Sequence, residues 1–311
     1  VRRAHPASCQ MLTKAIAGAF PEAAPGWHKG TAGAILIVGG SEGLTGAPHL
    51  AARAALRAGG GLISVAAPHG LCRDIKADCP DIMTRALGPA GNVRWSPALL
   101  EELLPFLRQC GGMVLGPGIG REPETAAFVQ ALLMCPSRPS AVVDADALHA
   151  LAMHPEALSS LRACDVLTPH PGEAATLLHT TPALVQADRF AALAGLRRLA
   201  PSVWILKGAG TLIGTAGQPV TIAPYAEPNL AVGGSGDVLS GCLGTLMAQT
   251  AAHPSEGCAS SSFLAACMGV YLHARAGTLV RDVFPQRGNS ATEIAEMLPR
   301  ARIGEAAGDG A

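Results

Sequence analysis

The pentapeptide GGSGD (233–237) sits inside NLAVGGSGDVLSG (229–241), where glycines and a serine lead into an aspartate and then into apolar residues at helical spacing. Glycines let backbone amides approach a ligand closely, and the spacing predicts a helix from about Gly236. The unpaired N–H groups of a helix's first turn attract phosphate. Gly234, Ser235 and Gly236 are therefore candidates for an anion hole, and Asp237 lies beside them. A carboxylate in that place is repelled by the anion unless it handles a proton or a metal ion. Two readings follow for Asp237: a general base next to a transferring phosphoryl group, or a capping residue after a glycine loop. A P-loop is excluded, because GxxxxGK[ST] does not occur.

Other stretches carry chemistry-bearing residues at the ends of apolar runs. KGAGT (Lys207, Gly208, Ala209, Gly210, Thr211) suits a cradle for phosphates or a nucleotide edge, or else an ordinary strand-to-hairpin turn. In TPHPGE (168–173), Pro171 fits the first position of a helix and Glu173 its first turn, so His170 projects from a strand end. VVDADAL (142–148) ends a strand on Asp144 and Asp146, which can hold Mg2+ through water or cap a helix. GPGIG (116–120) and GGSEGLTGAP (39–48) are glycine turns that permit close backbone approach, and neither has the GxGxxG dinucleotide spacing. No Ser-His-Asp order and no metal-ligand spacing stands out.

The elements that position these residues alternate. AILIVGG (34–40), LISVAAP (62–68), MVLGPG (113–118), AVVDAD (141–146), DVLTPH (165–170) and VWILKG (203–208) read as short strands, apolar at successive positions, with helical spacing between them. Strands apolar on both faces that alternate with helices predict an α/β fold with a mainly parallel sheet covered on both sides. In such sheets ligands bind beyond the carboxyl ends of the strands, and each run here ends in Gly, Asp, His or Lys. TLIGTAGQPVTIAP (211–224) reads as a hairpin turning at Ala216-Gly217. Residues 1–29 are expected to be an arm or linker, 30–300 one domain, and 301–311 a flexible tail.

The chain has 311 residues, 49% of them hydrophobic and 15% charged, which suffices for a large core. Thirty-seven glycines and 24 prolines in so apolar a chain indicate tight turns rather than disorder. Zero formal net charge and the lack of a basic stripe exclude a nucleic-acid footprint. No uninterrupted apolar run reaches the roughly 18 residues of a membrane span. The nine cysteines form no CxxC pair and most sit in apolar surroundings, as expected for reduced thiols in a cytoplasmic protein.

Taken in order, HKG (28–30), ILIVGG, TGAPHLAARAALRAGGGLISVAAP, LGPGIG, VVDADAL, LTPHPGEAATLL, WILKGAGT and NLAVGGSGDVLSG resemble the ADP- or ATP-dependent NAD(P)H-hydrate dehydratase family, over about residues 25–300. HPGE, KGxxT and GGxGD in that order are specific, whereas each alone is not. The resemblance implies a ribokinase-like three-layer α/β/α sandwich and the repair of damaged nicotinamide cofactor. The implied substrate is the S epimer of hydrated NADH or NADPH, with ADP or ATP as phosphoryl donor and Mg2+ as the ion. It further implies Asp237 as the base and amides of Gly234, Ser235 and Gly236 around the phosphoryl group. Lys207, Gly208, Ala209, Gly210, Thr211 and Gly236 are implied on the nucleotide, and Ala47, Gly118, His170 and Asp237 on the hydrated cofactor. His149 stands where the family often has Asn, Ser235 where some members have Met, and Glu227-Pro228-Asn229 where Pro-Gly is frequent. A homo-oligomer is expected, as is an epimerase domain or protein as partner, since many members carry one ahead of this domain and the chain begins at Val1. A ribokinase-like kinase for a vitamin precursor shares the GD base and the anion hole. The HPGE and GAP segments favour the dehydratase.

Overall fold

The computed structural model describes residues 9–13, 25–252 and 258–302. In chain order these form β1 (Cys9–Met11), β2 (Ala34–Val38), helix α1 (Gly46–Arg57), β3 (Leu62–Pro68), α2 (Cys72–Lys76), β4 (Met83–Leu87), α3 (Leu100–Leu107), β5 (Gly112–Leu115), α4 (Pro123–Met134) and β6 (Ser140–Val143). The chain continues as α5 (Asp146–Met153), β7 (Val166–Leu167), α6 (Pro171–Leu177), α7 (Pro182–Ala187), α8 (Arg189–Leu199), β8 (Val203–Leu206), β9 (Leu212–Gly214), β10 (Val220–Ile222), α9 (Ser235–Ala252), α10 (Cys258–Arg281) and α11 (Ala291–Arg302). The strands make a ten-stranded sheet in the order β1-β10-β9-β8-β7-β6-β5-β2-β3-β4. Only β9 runs against its neighbours, β8 and β10.

The period-two geometry of a strand accounts for the layers. Ile35, Ile37, Val65, Val114, Val142, Val203 and Ile205 turn to one face, where Ala51, Ala55, Leu243, Leu246, Leu272 and Ile294 of α1, α9, α10 and α11 cover them. Leu36, Val38, Met113, Leu115, Val143, Trp204 and Leu206 turn to the other, against Leu103, Phe128, Leu132, Leu148 and Leu193 of α3, α4, α5 and α8. The result is the three-layer α/β/α sandwich that strands apolar on both faces require.

The six expected strands all form, and the expected hairpin is β9 and β10, with Gly217 at φ +74° in its turn. Two strands were not anticipated. Cys9–Met11, inside the segment read as an arm, adds a parallel edge strand to β10, and Gln10 Nε2 donates to Thr221 Oγ1 at 2.9 Å. The other is β4, at the opposite edge. Arg85 interrupts its apolar pattern and places its guanidinium 4.9 Å from the centre of the Phe106 ring. Residues 1–8 and 14–24 of the expected arm and 303–311 of the expected tail lie outside the described residues.

One helix passes the length and composition of a membrane span. Within α10, Ser260–Arg281 is long and apolar enough to cross a membrane, although no uninterrupted apolar run marks it. It is a core helix: Phe263, Ala266, Cys267, Leu272, Ala276 and Val280 are buried against the rest of the sandwich. Cys9, Cys72, Cys79, Cys110, Cys135, Cys164, Cys242 and Cys267 are free thiols.

A buried ion pair locks the end of the sheet away from the carboxyl ends of the strands. Arg138, just ahead of β6, holds Asp165, just ahead of β7, through Nη1 at 2.8 Å and Nη2 at 2.7 Å. Their side chains are 1% and 0% exposed. Asp165 also accepts from the amides of Ala141 (3.0 Å) and Arg162 (2.8 Å), so all its acceptor capacity is turned inward.

Candidate active site

Parallel strands bring their carboxyl ends to one edge. There the residues after β6, β7 and β8 (Asp144, Thr168 and Lys207) meet the start of α9. Lys207 Nζ lies 2.7 Å from Asp144 Oδ1 and 3.8 Å from Glu173 Oε2. The second Asp144 oxygen accepts from Ser240 Oγ, which stands one turn along α9 from Gly236. Burial alone would raise the Asp144 carboxyl, but the Lys207 ammonium and the Lys207, Ser240 and Thr168 donors hold it below the ordinary range. Burial works against the Lys207 charge too, yet the carboxylates of Asp144 and Glu173 raise it. The pair is therefore ionised and sits beneath the mouth of α9.

At that mouth Gly234 adopts φ +88°, and a Cβ on it would come within 2.6 Å of Leu50 Cδ1. Glycine is needed there for both conformation and space. A Cβ on Gly236 would lie 3.5 Å from Lys207 Nζ, so an anion at these amides also faces the ammonium. The Ser235 amide donates to the Val232 carbonyl at 3.2 Å, which narrows the expected trio of amide donors to Gly234 and Gly236. The Ser235 hydroxyl instead pairs with His273 Nε2 at 3.1 Å. Burial keeps that imidazole neutral, lowering it to about 4.

Asp237 follows in the first turn of α9. Burial, then the charges of Asp144, Asp146 and Glu173, push its carboxyl up to about 7, against the pull of Lys207. Glu173 is likewise raised to about 7, chiefly by burial. A carboxyl poised near neutrality can take a proton from a substrate hydroxyl and release it again.

His170 caps α6. Its Nδ1 accepts from the amides of Gly172 (2.9 Å) and Glu173 (3.3 Å), while Glu173 Oε2 accepts from the His170 amide at 2.8 Å. This reciprocal box assigns the ring proton to Nε2. Burial and the Lys207 charge lower its pKa, which favours the neutral ring. The capping leaves 55% of the His170 side chain exposed.

Ala47 and Gly118 adjoin. A Cβ on Gly118, at φ +60°, would be 3.1 Å from the Ala47 methyl and 2.4 Å from the Leu44 carbonyl oxygen. Leu50, one turn further along α1, packs on Gly234, so α1 links the Gly118 turn to the GGSGD turn.

A cavity of about 680 Å³ opens on the other side of the α9 mouth, within the range of roughly 300–1,000 Å³ common for ligand sites. His170, Lys207, Gly208, Ala209, Thr211 and Gly236 form its polar end, and Tyr225, Leu230, Val232, Leu239 and Val270 its apolar depth. Gly210 was expected among these contacts but does not line the cavity. It turns the chain at φ +65° and donates its amide to the Tyr225 carbonyl at 3.0 Å. Arg189 of α8 was missed: its Nη groups bind the carbonyls of Leu206 (3.0 Å) and Lys207 (3.3 Å) and shape the KGAGT turn. No local pattern marks it, since its partners lie 17 and 18 residues away.

Asp144 and Asp146, read from the sequence as holders of Mg2+ through water or as a helix cap, take separate protein partners. Ala145 between them takes φ +51°, a strained conformation that sends the two side chains apart. Asp144 goes to Lys207 and Ser240. Asp146 accepts from the Gly120 amide at 3.2 Å and from Arg121 Nε at 2.6 Å. Among the described residues no group of three His, Cys, Asp or Glu side chains is arranged to hold a metal ion.

A family model described as NAD(P)H-hydrate dehydratase matches residues 35–300. The chain is 42% identical over 274 residues to the bifunctional NAD(P)H-hydrate repair enzyme Nnr of Moorella thermoacetica, covering 88% of this chain and 49% of that protein. It is 33% identical over 303 residues to the ADP-dependent (S)-NAD(P)H-hydrate dehydratase of Neisseria meningitidis, covering 94% and 92%. The chain thus spans about half the length of the bifunctional relatives it matches. Among solved structures, a ribokinase-like superfamily protein from Enterococcus faecalis superposes with a TM-score of 0.78 at 21% identity, over 96% of this chain and 97% of that one. The ADP/ATP-dependent NAD(P)H-hydrate dehydratase of Bacillus subtilis, co-crystallized with ATP/Mg2+, superposes at 0.73 and 22%, over 94% and 97%. These likenesses establish a ribokinase-like fold.

Proposed function

Since the chain belongs to the NAD(P)H-hydrate dehydratase family, we propose that it repairs nicotinamide cofactor, converting the S epimer of hydrated NADH or NADPH to the reduced dinucleotide at the expense of ADP or ATP. The observation that carries the reading is Asp237, a carboxyl raised to about 7 in the first turn of α9, beside the Gly236 amide and the Lys207 ammonium. A base and an anion site adjoin in this way when a hydroxyl attacks phosphorus. Asp237 takes the proton from the C6 hydroxyl as its oxygen bonds to the terminal phosphorus, and AMP (from ADP) or ADP (from ATP) leaves. The C6–O bond then breaks, phosphate departs with its electron pair, and loss of a ring proton restores the double bond. Hydroxide leaves poorly and phosphate leaves well, which is why the nucleotide is consumed.

In this reading the apolar depth of the cavity takes the nucleobase, and Lys207, Gly208, Ala209 and Thr211 take the phosphates. Ala47, Gly118 and His170 line the side of the hydrated ring. Mg2+ brought in with the nucleotide would supply charge neutralisation on its phosphates. The S-specific reaction makes an epimerase its natural partner, whether on the same polypeptide or another.

The test is the near-ultraviolet absorbance of reduced nicotinamide on mixing the protein with hydrated NADH, Mg2+ and either ADP or ATP. A rise that requires the nucleotide and leaves the R epimer behind is expected. No rise with the nucleotide tightly bound would transfer the assignment to a small-molecule kinase. Lys207→Ala is expected to raise the nucleotide KM about tenfold or more, the effect of losing a charge-assisted contact to phosphate. An unchanged KM would remove Lys207 from the nucleotide site.

A further inference from the structure

The reaction centre is rich in negative charge. Asp144, Asp146 and Glu173 all act on Asp237, and the Lys207 ammonium among them is already paired with Asp144. A hydrated dinucleotide brings a pyrophosphate, and in the NADPH form a 2′-phosphate, toward this same edge. One ribose separates the pyrophosphate from the nicotinamide ring. A ring held at Gly118 and His170 therefore lays a phosphate close by, where a cation is needed to offset the repulsion.

The chain leaving Gly118 supplies one. Three residues on, Arg121 is held through Nε by Asp146 Oδ1 at 2.6 Å, and the other Asp146 oxygen fixes the Gly120 amide at 3.2 Å. Asp146 thus uses both oxygens to set the turn and aim the guanidinium. The Arg121 side chain is nevertheless 64% exposed, and its anchor takes Nε and leaves the Nη fork that suits phosphate. A cavity of about 150 Å³ lies against it, lined by Gly120, Arg121, Asp146, His149 and His154. His149 is the residue after DADAL whose part the reaction did not absorb.

We propose that Arg121, aimed by Asp146 and flanked by His149, binds a phosphate group of the hydrated dinucleotide and so fixes its orientation over Asp237. This rests on the repair reading for the identity of the ligand, while the site itself is tested without turnover. The probes are NADH and NADPH, the reaction products, titrated by their own fluorescence into the wild-type chain and into Arg121→Gln. The dissociation constant is expected to rise about tenfold in the variant, with ADP affinity unchanged. A rise for both dinucleotides assigns Arg121 to the pyrophosphate, and a rise for NADPH alone assigns it to the 2′-phosphate. Arg121→Lys, which keeps the charge but loses the fork, is expected to fall between. Constants within twofold of wild type for both dinucleotides, or a wild-type chain that binds neither, would overturn the proposal. A wild-type chain that binds both but releases neither from its hydrate would sink the repair reading and leave the subsite standing.

Discussion

Asp237→Asn is expected to lower turnover by about 100-fold or more, the usual consequence of removing a general base, while nucleotide affinity stays near wild type. Asparagine preserves the shape of the side chain and its place in the first turn of α9, so the phosphate site proposed at the amides of Gly234 and Gly236 should be unchanged. What is lost is the site that receives the hydroxyl proton. The same assignment sets a pH dependence. Asp237 acts as a base only when deprotonated, and its pKa is raised to about 7, so kcat/KM should fall as pH drops through about 7 and level off above it. Glu173 also titrates near 7 and contributes repulsion to Asp237, so the falling limb belongs to the pair. Glu173→Gln, which removes one of the charges that raise Asp237, should move the limb to lower pH. Steady-state kinetics across pH for the three proteins checks this. Near-normal turnover in Asp237→Asn, or a limb that stays in place in Glu173→Gln, would refute the role given to Asp237.

Arg138→Leu is expected to cost about 3–5 kcal/mol of folding stability, because the fully buried Asp165 carboxylate loses its two hydrogen bonds to a buried guanidinium and keeps as counter-charge the partly exposed Arg162, 3.7 Å away. For a domain of this size that corresponds to a fall of about 5–15 °C in Tm, read by calorimetry or by a denaturant midpoint. Removing both charges in Arg138→Leu/Asp165→Leu should recover part of the loss. Recovery stays incomplete because the amides of Ala141 and Arg162, which donate to Asp165, are then left unpaired. A single variant that melts with the wild type would show that water or a shifted side chain reaches Asp165. The pair lies at the end of the sheet opposite the candidate site, so the kinetic constants of the folded fraction should be unaltered.

The sheet and its layers were legible because strands covered on both faces must be apolar at nearly every position, as AILIV and VWIL are throughout and LISVAAP is at all but Ser64. The two edge strands were not. Cys9–Met11 is three residues long and half exposed, and Met83–Leu87 carries Arg85 at its centre, so neither has the pattern that burial imposes. At the site, local chemistry revealed the strand ends and the helix start: a glycine turn into Asp237, a lysine after VWIL, a histidine before Pro171. It did not reveal who pairs with whom. Lys207 and Asp144 are 63 residues apart, and Ser240 is 96 from Asp144. Only the parallel sheet brings them together, and only the strained Ala145 decides that Asp144 faces Lys207 while Asp146 faces Arg121. Residue types and their spacing determined which groups stand at the carboxyl edge. The tertiary structure decided their charge states, because a carboxyl's affinity for its proton depends on burial and on neighbours that the chain order does not place beside it.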